Sequence, residues 1–271
     1  MKIKSIDYEP FHNIRYKTSG FNPKGEGVKT NFLPFFKVIV DRLPDGVDAI
    51  VATSDLQGRE IGKANRLLGE HVVEELVRLS NEGVIPEIGA ALLAGDLYDH
   101  PDCRKLGGSG DVSSVWHAFS DAFPIVFGVH GNHDVIPDLS NAYLRGSRSN
   151  PTIALDGEYS DFFGGMSVGG VSGIIGKPTR NQRKTPEQFY NLLDKVMSKR
   201  PDVLLLHHGP DSLDSHQRGD AAVRERFEKN KAASLVLFGH CHWPVEEMWV
   251  KQGNKDVLNV DGRVIVFVEE K

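Results

Sequence analysis

Cysteine is scarce in this chain: its 271 residues include only Cys103 and Cys241. A disulfide framework is therefore excluded, and two unpaired thiols fit a reducing, cytoplasmic setting. The chain also has no excess of positive charge. Its 32 Lys and Arg face 37 Asp and Glu, a net charge of −5, so no global basic field clamps nucleic acid, although a local basic groove stays open. Long apolar runs are missing as well. The opening Met1-Lys2-Ile3-Lys4-Ser5-Ile6-Asp7 has no apolar signal core, and no segment reaches membrane-spanning length, which again points to the cytoplasm. No repeat, low-complexity tract or Pro/Gly-rich linker divides the chain. With 39% hydrophobic and 25% charged residues, the chain can bury a full core without staples.

Apolar periodicity sets out alternating strands and helices. The stretch to about Asn31 reads as polar and irregular. Residues 35–40 and 48–53 read as strands joined through Leu43-Pro44-Asp45-Gly46, an edge hairpin. Residues 1–47 are accordingly set apart as an N-terminal extension with an edge strand, and 48–271 as the main body of one structural domain. Ile61, Leu67, Leu68, Val72, Leu76 and Leu79 predict a helix over 60–81, stopped by Gly83. Strands follow at 88–94, 124–129, 166–175, 203–206 and 234–238, with a helix over 112–123. Thr185-Pro186-Glu187-Gln188 is a capping box with proline at the first helical position, and Asp220 caps a further helix through Lys231. A last hairpin pairs 257–260 with 263–267 across Asp261-Gly262. The alternation argues for an α/β protein with a largely parallel sheet, whose functional groups lie beyond the carboxyl ends of its strands.

Five polar clusters stand at such ends: Asp55-Leu56-Gln57, Gly95-Asp96-Leu97-Tyr98-Asp99, Gly131-Asn132-His133-Asp134, His207-His208 and Gly239-His240-Cys241-His242. Each alone is a weak signal, since an Asp after a strand is commonly a turn or cap. His-x-His on a strand would place both imidazoles on one face, with Cys241 turned away as a small buried residue. Carboxylate, amide and imidazole donors gathered at one sheet edge are what a two-metal hydrolytic centre requires.

In this order the clusters resemble the calcineurin-like metallophosphoesterase superfamily, over roughly residues 50–267, and four of the five motifs match in full. The resemblance implies a four-layer αββα sandwich that hydrolyses a phosphodiester, nucleotide or diphosphate through a dinuclear centre and a bridging hydroxide. It makes Asp96 the carboxylate shared by two divalent ions. Asp55, Gln57 and His242 complete one ion; Asn132, His207 and His240 hold the other. His133 matches the family's catalytic histidine, and Asp99 is placed to orient its imidazole. Gln57 departs from the pattern, standing where an imidazole is expected. Its neutral amide oxygen is a poorer ligand for late transition metals, so Mn²⁺ or Mg²⁺ is expected there and Fe or Zn at the second site, with Mn the foremost ion of the pair, Ni a further alternative and a single-metal site the other possibility.

Gly-Asp-Leu-Tyr-Asp is followed by His100-Pro101, not by the Arg-Gly of protein phosphatases, which points to a small phosphorylated substrate. Two other readings stay open: a DNA nuclease of the same superfamily, and a non-catalytic binding scaffold on the same fold. The glycines from Gly164 to Gly176 fail the P-loop spacing, and Pro178 stands where Ser or Thr is needed. Arg15, Lys17 and Lys24 form a basic N-terminal segment, either a solvated arm or a lid, and His216 and Arg218 read either as contacts for a substrate phosphate or as a solvated loop.

Overall fold

The computed structural model describes residues 1–20, 27–104, 107–135, 137, 150–213, 216–232 and 234–270. Two sheets carry the architecture. The larger is nine-stranded, running Thr152–Ala154, Val126–Gly128, Ile88–Leu93, Ala49–Ser54, Arg263–Glu269, Val28–Val40, His12–Ser19 and Arg59–Glu60, with Ile3–Ile6 also on Val28–Val40. The second is six-stranded, in the order Glu158–Phe163, Met166–Val171, Val203–His208, Leu235–Gly239, Lys255–Asn259, Trp249–Gln252. The helices are α1 (Leu68–Asn81), α2 (Ser113–Ala122), α3 (Pro186–Ser198) and α4 (Ala221–Lys229).

Strand alternation explains the layers. In Ala49–Ser54, Ala49 and Val51 point one way and meet Val72, Leu76, Trp116 and Phe119 of α1 and α2. Ile50 and Ala52 point the other way and meet Val168, Leu205 and Leu237 of the second sheet. That sheet repeats the pattern, with Leu204, Leu206, Val236 and Phe238 under Phe189, Leu193, Val223 and Phe227 of α3 and α4. Strands buried on both faces must be apolar throughout, hence the short uninterrupted runs in the sequence. Truncating such a side chain to alanine, Leu92 for example, costs about 2–5 kcal/mol. The result is the expected αββα sandwich. The capping box closes at Thr185 and Gln188, and the Asp220 side chain accepts from Val223 N at 2.9 Å.

Four expectations about individual elements need correction. The described part of residues 1–31 is not irregular, because Ile3–Ile6 and His12–Ser19 both pair with Val28–Val40. The edge hairpin does not form: Arg263–Glu269 inserts between Val28–Val40 and Ala49–Ser54, parallel to the first and antiparallel to the second. The last hairpin fails for the same reason, since Lys255–Asn259 belongs to the other sheet. Helix α1 begins at Leu68 and not near Glu60, because the Arg59–Glu60 backbone is engaged with Tyr16 and Lys17. Arg15 and Lys17 thus lie in a strand, whereas Lys24 lies outside the described residues. Among the described residues no helix is long and apolar enough to cross a membrane.

Candidate metal centre

Ala49–Ser54 and Ile88–Leu93 run parallel, as do Val203–His208 and Leu235–Gly239. Their carboxyl ends deliver Asp55 and Asp96 from one sheet, and His207 and His240 from the other. Asp96, His207 and His240 converge, each offering a ligand atom within 4.8 Å of the others. His240 N donates to Asp55 Oδ2 at 2.9 Å, which joins the two sheets directly at this edge.

The local backbone is shaped for the site. Asp55, Asp96 and His240 have φ of 54°, 55° and 67°, left-handed values that are unusual outside glycine. Such conformations cost of order 1–3 kcal/mol each and persist only where surrounding contacts fix them. At Asp96 and its neighbours Asp134 supplies such contacts. Its carboxylate accepts from Asp96 N at 2.9 Å, Leu97 N at 2.7 Å and Gly131 N at 2.8 Å. Burial and the Asp96 charge push Asp134 up to about 6, against the pull of these N–H donors. Gly131 and Gly239 are glycines of necessity: a Cβ on the first would overlap Asp96 Oδ1, and one on the second Asp55 Oδ2.

His207 is set up as a ligand. Its Nδ1 lies 2.8 Å from Ala94 O and so carries the proton as a donor, leaving Nε2 to face Asp96 Oδ2 at 3.3 Å. Burial pulls the His207 imidazolium down, but Asp96 and Asp55 outweigh it and lift the ring to about 10. Burial pushes Asp96 up, and His207 and His133 bring it net below its ordinary value. Asp55 is held well above the carboxylate range, chiefly by burial and then by Asp261. Burial, reinforced by His207, lowers His240 to about 4 and keeps it neutral.

Divalent cations fit these residues. Two buried atoms of the expected ligand set, Asn132 Oδ1 and His207 Nε2, have no hydrogen-bond partner among the described residues. Polar atoms left so are costly unless something completes them. The donor set of carboxylate, amide and imidazole suits Mn, Fe or Zn. Ligation there requires Nε2 of His207 to be free of a proton, so metal and proton compete for this site.

The remaining expected ligands are arranged unequally. Gln57 Nε2 donates to Asp96 Oδ2 at 3.1 Å, so the amide reaches the carboxylate through its nitrogen. His242 stands apart from the buried cluster with its side chain 62% exposed, its Nδ1 3.0 Å from Asp261 Oδ1. The His-x-His reading on a strand is corrected accordingly. The strand ends at Gly239 and the left-handed turn at His240 separates the two rings, with Cys241 only half-buried.

His133 N donates to Asp96 Oδ1 at 2.8 Å, which places this residue beside the cluster. Its ring is met by Ser109, with Oγ 3.1 Å from Nδ1. Asp99, expected to orient that ring, accepts from His100 N through Oδ1 at 2.8 Å, its Oδ2 is buried without a hydrogen-bond partner among the described residues, and its backbone carbonyl binds Arg59 Nη2 at 2.7 Å. Burial raises its carboxyl, and the His100 N–H and then Cys103 partly offset this. His208 supports the edge from behind, its Nε2 3.5 Å from Asp220 Oδ2 and its ring edge-on to Phe189. Ser109, Asp134, Asp261 and Asn181, whose Nδ2 donates to Asn132 O at 3.2 Å and Asp134 O at 2.8 Å, are the supports that sequence reasoning missed. Only Asp134 carried a signal, as the closing residue of Gly-Asn-His-Asp.

Comparison with known proteins agrees with this geometry. The family model for the calcineurin-like phosphoesterases matches residues 49–244. The protein TT1561 of Thermus thermophilus is similar in structure, at 18% identity and a TM-score of 0.53, over 79% of this chain and 88% of that one. Phosphopantetheinyl hydrolase from Mycobacterium tuberculosis, at 14% identity and a TM-score of 0.45, covers 80% of this chain and 90% of its own. Purple acid phosphatase PPD1 from yellow lupin, Lupinus luteus, is at 13% identity and a TM-score of 0.42, over 86% of this chain and 48% of that one. No curated protein sequence matches this chain. The ordered motifs, the sandwich and the family match lead to one assignment: the chain belongs to the calcineurin-like phosphoesterase family.

Proposed function

We propose that the protein is a metal-dependent phosphoesterase acting on a small phosphodiester, nucleotide or diphosphate at a two-ion centre. The observation that carries this reading is the Asp96–His207–His240 cluster, with Asp96 and His207 buried and His240 half-buried, next to the unpartnered Asn132 Oδ1. Asp96 would be shared, with Asp55, Gln57 and His242 on one side and Asn132, His207 and His240 on the other. Divalent ions held there supply Lewis acidity toward a phosphoryl oxygen and toward water.

The chain's own groups do the rest. Asp134 fixes the backbone of Asp96, Leu97 and Gly131, so Asp96 is held in place before anything binds. His207 keeps its ligand tautomer through Ala94 O. His133, tethered to Asp96 through its backbone and to Ser109 through its ring, is the group that gives a proton to the leaving oxygen.

Hydrolysis of bis-p-nitrophenyl phosphate and p-nitrophenyl phosphate with Mn²⁺ tests the reading, alongside metal counting on the same sample. Turnover well above the His133→Ala variant and two ions per chain are expected. No hydrolysis above that background overturns the enzyme, and one ion at saturation overturns the two-ion centre.

A further inference from the structure

Two loops meet at the metal edge. Residues 239–243 follow the strand that delivers His240, and residues 259–263 lead from Lys255–Asn259 of the second sheet to Arg263–Glu269 of the first. Side chains stitch the two together. Asn259 Nδ2 donates to Cys241 O at 2.9 Å, and Arg263 Nη2 donates to Trp243 O at 2.7 Å. Arg263 is fully buried, and its Nε donates to Asp261 O at 3.0 Å. Gly262 N donates to Ser54 O at 3.0 Å and Asp261 bridges to Ser54, next to the strand end that carries Asp55. The Asp261 backbone is thus fixed without help from its own side chain.

That side chain meets His242. Asp261 Oδ1 lies 3.0 Å from His242 Nδ1, and the carboxylate is 13% exposed against 62% for the ring. A ring so open has little packing to hold it, and ordering it costs side-chain entropy that a contact must offset. A second group approaches the same nitrogen: Arg263 Nη2, at 3.4 Å. The two ask for opposite tautomers. A carboxylate only accepts, so it needs a proton on Nδ1; a guanidinium only donates, so it needs Nδ1 bare. Distance decides between them. The 3.0 Å contact to a charged acceptor is an ordinary hydrogen bond, whereas 3.4 Å lies beyond the usual range and Nη2 already has Trp243 O. Nδ1 therefore carries the proton, and Nε2 is the bare nitrogen.

We propose that Asp261 is a positioning residue for the ion on the Asp55 side, holding His242 in the tautomer whose free Nε2 can ligate. The proposal rests on the phosphoesterase reading, which groups His242 with Asp55 and Gln57. Gln57 makes the role matter. It supplies a neutral amide in place of an imidazole, so His242 is the one imidazole of that ligand set. A carboxylate behind a ligating histidine fixes its tautomer and ring orientation, and losing it commonly costs about 10–100-fold in metal affinity. Arg263 acts one step further back, fixing the Asp261 carbonyl and the Trp243 carbonyl that follows His242. Asp261 and Arg263 both lie beyond residues 49–244, so the family match gives them no part in the site.

Two measurements on the full chain test this without turnover. Nitrogen NMR of the metal-stripped protein, with His242 assigned by comparison with His242→Gln, reads the tautomer directly. Wild type is expected to show Nδ1 protonated and Nε2 bare, and Asp261→Ala the Nε2–H form that free histidine favours. Asp261→Asn keeps an acceptor oxygen and should keep the wild-type tautomer. Calorimetric titration with Mn²⁺ then follows the ions. Asp261→Ala is expected to weaken one ion at least about tenfold and leave the other within about twofold, with Asp261→Asn restoring most of the loss. In a His242→Ala background Asp261→Ala should add nothing. A wild-type His242 with Nε2 protonated, a tautomer indifferent to Asp261→Ala, or a metal loss that persists without His242 overturns the proposal. If wild type takes one Mn²⁺ while the tautomer follows Asp261, the two-ion reading alone fails. If two ions bind and Asp261→Ala weakens neither, the positioning role alone fails.

Discussion

Ser109 Oγ lies 3.1 Å from Nδ1 of His133, so a hydroxyl and not a carboxylate contacts the ring of the candidate proton donor. The contact is held in register from both sides. Gly110 N donates to His133 O at 3.1 Å, and Gly110–Asp111 pairs with Asp134–Val135. The hydroxyl orients the imidazole through a single hydrogen bond, while Asp96 Oδ1 holds the residue through its backbone N–H.

Ser109→Ala removes that contact and nothing buried, so its effect should fall on the chemical step. A hydrogen bond of this kind is worth about 0.5–1.5 kcal/mol, which predicts a kcat about threefold to tenfold lower. KM should stay within about twofold, and Ser109→Thr should restore most of the rate. Steady-state kinetics on a p-nitrophenyl ester checks this. A variant with raised KM and unchanged kcat would show that Ser109 serves binding and not orientation.

Gln57 is the residue through which this chain departs from the family pattern. Its amide nitrogen sits 3.1 Å from Asp96 Oδ2, sharing that oxygen with His207 Nε2 at 3.3 Å. An amide can coordinate only through its oxygen, so ligation requires a flip that surrenders this hydrogen bond. Imidazole binds late transition metals better. Gln57→His is therefore predicted to tighten the weaker ion by about tenfold, or about 1.4 kcal/mol, and to shift preference from Mn²⁺ toward Zn²⁺. Competitive titration of both ions against a fluorescent chelator measures it. Unchanged affinity would remove Gln57 from the ligand set.

The layers and the functional edge are legible in the sequence because they are local. A short apolar run such as Val203–His208 both declares a buried strand and ends on its own functional group. Long-range insertion is not legible. Arg263–Glu269 is apolar on both faces, and nothing in its periodicity says that it enters between Val28–Val40 and Ala49–Ser54. His12–Ser19 hides for a different reason. Its buried Ile14, Tyr16 and Thr18 alternate with Arg15 and Lys17, a two-residue period diluted by polar side chains on the open face. At the site, residues that lend side chains are visible as motifs, whereas Ser109 is one serine among glycines and is recognisable only from its distance to His133.

Lys255 offers a test far from the candidate centre. Its side chain is buried beyond the end of α4, with Nζ 2.8 Å from Asn230 O, 3.0 Å from Ala232 O and 3.2 Å from Phe227 O. It thus satisfies carbonyls that the helix terminus leaves over, and its charge complements the helix dipole. Burial nonetheless lowers the ammonium to about 8, whereas an unfolded lysine titrates near about 10.4. Between those values the unfolded chain keeps a proton that the folded chain has released, so stability rises with pH across the window; below about pH 8 both states are charged and this contribution is flat. Lys255→Met should lose about 1–3 kcal/mol at about pH 7 through the stranded carbonyls. It should also lack the rise seen in wild type between about pH 8 and about pH 10. Urea unfolding of both proteins at intervals across that range gives the difference directly. A wild-type minus variant difference that stays constant with pH would mean that the carbonyl cage holds Lys255 charged throughout.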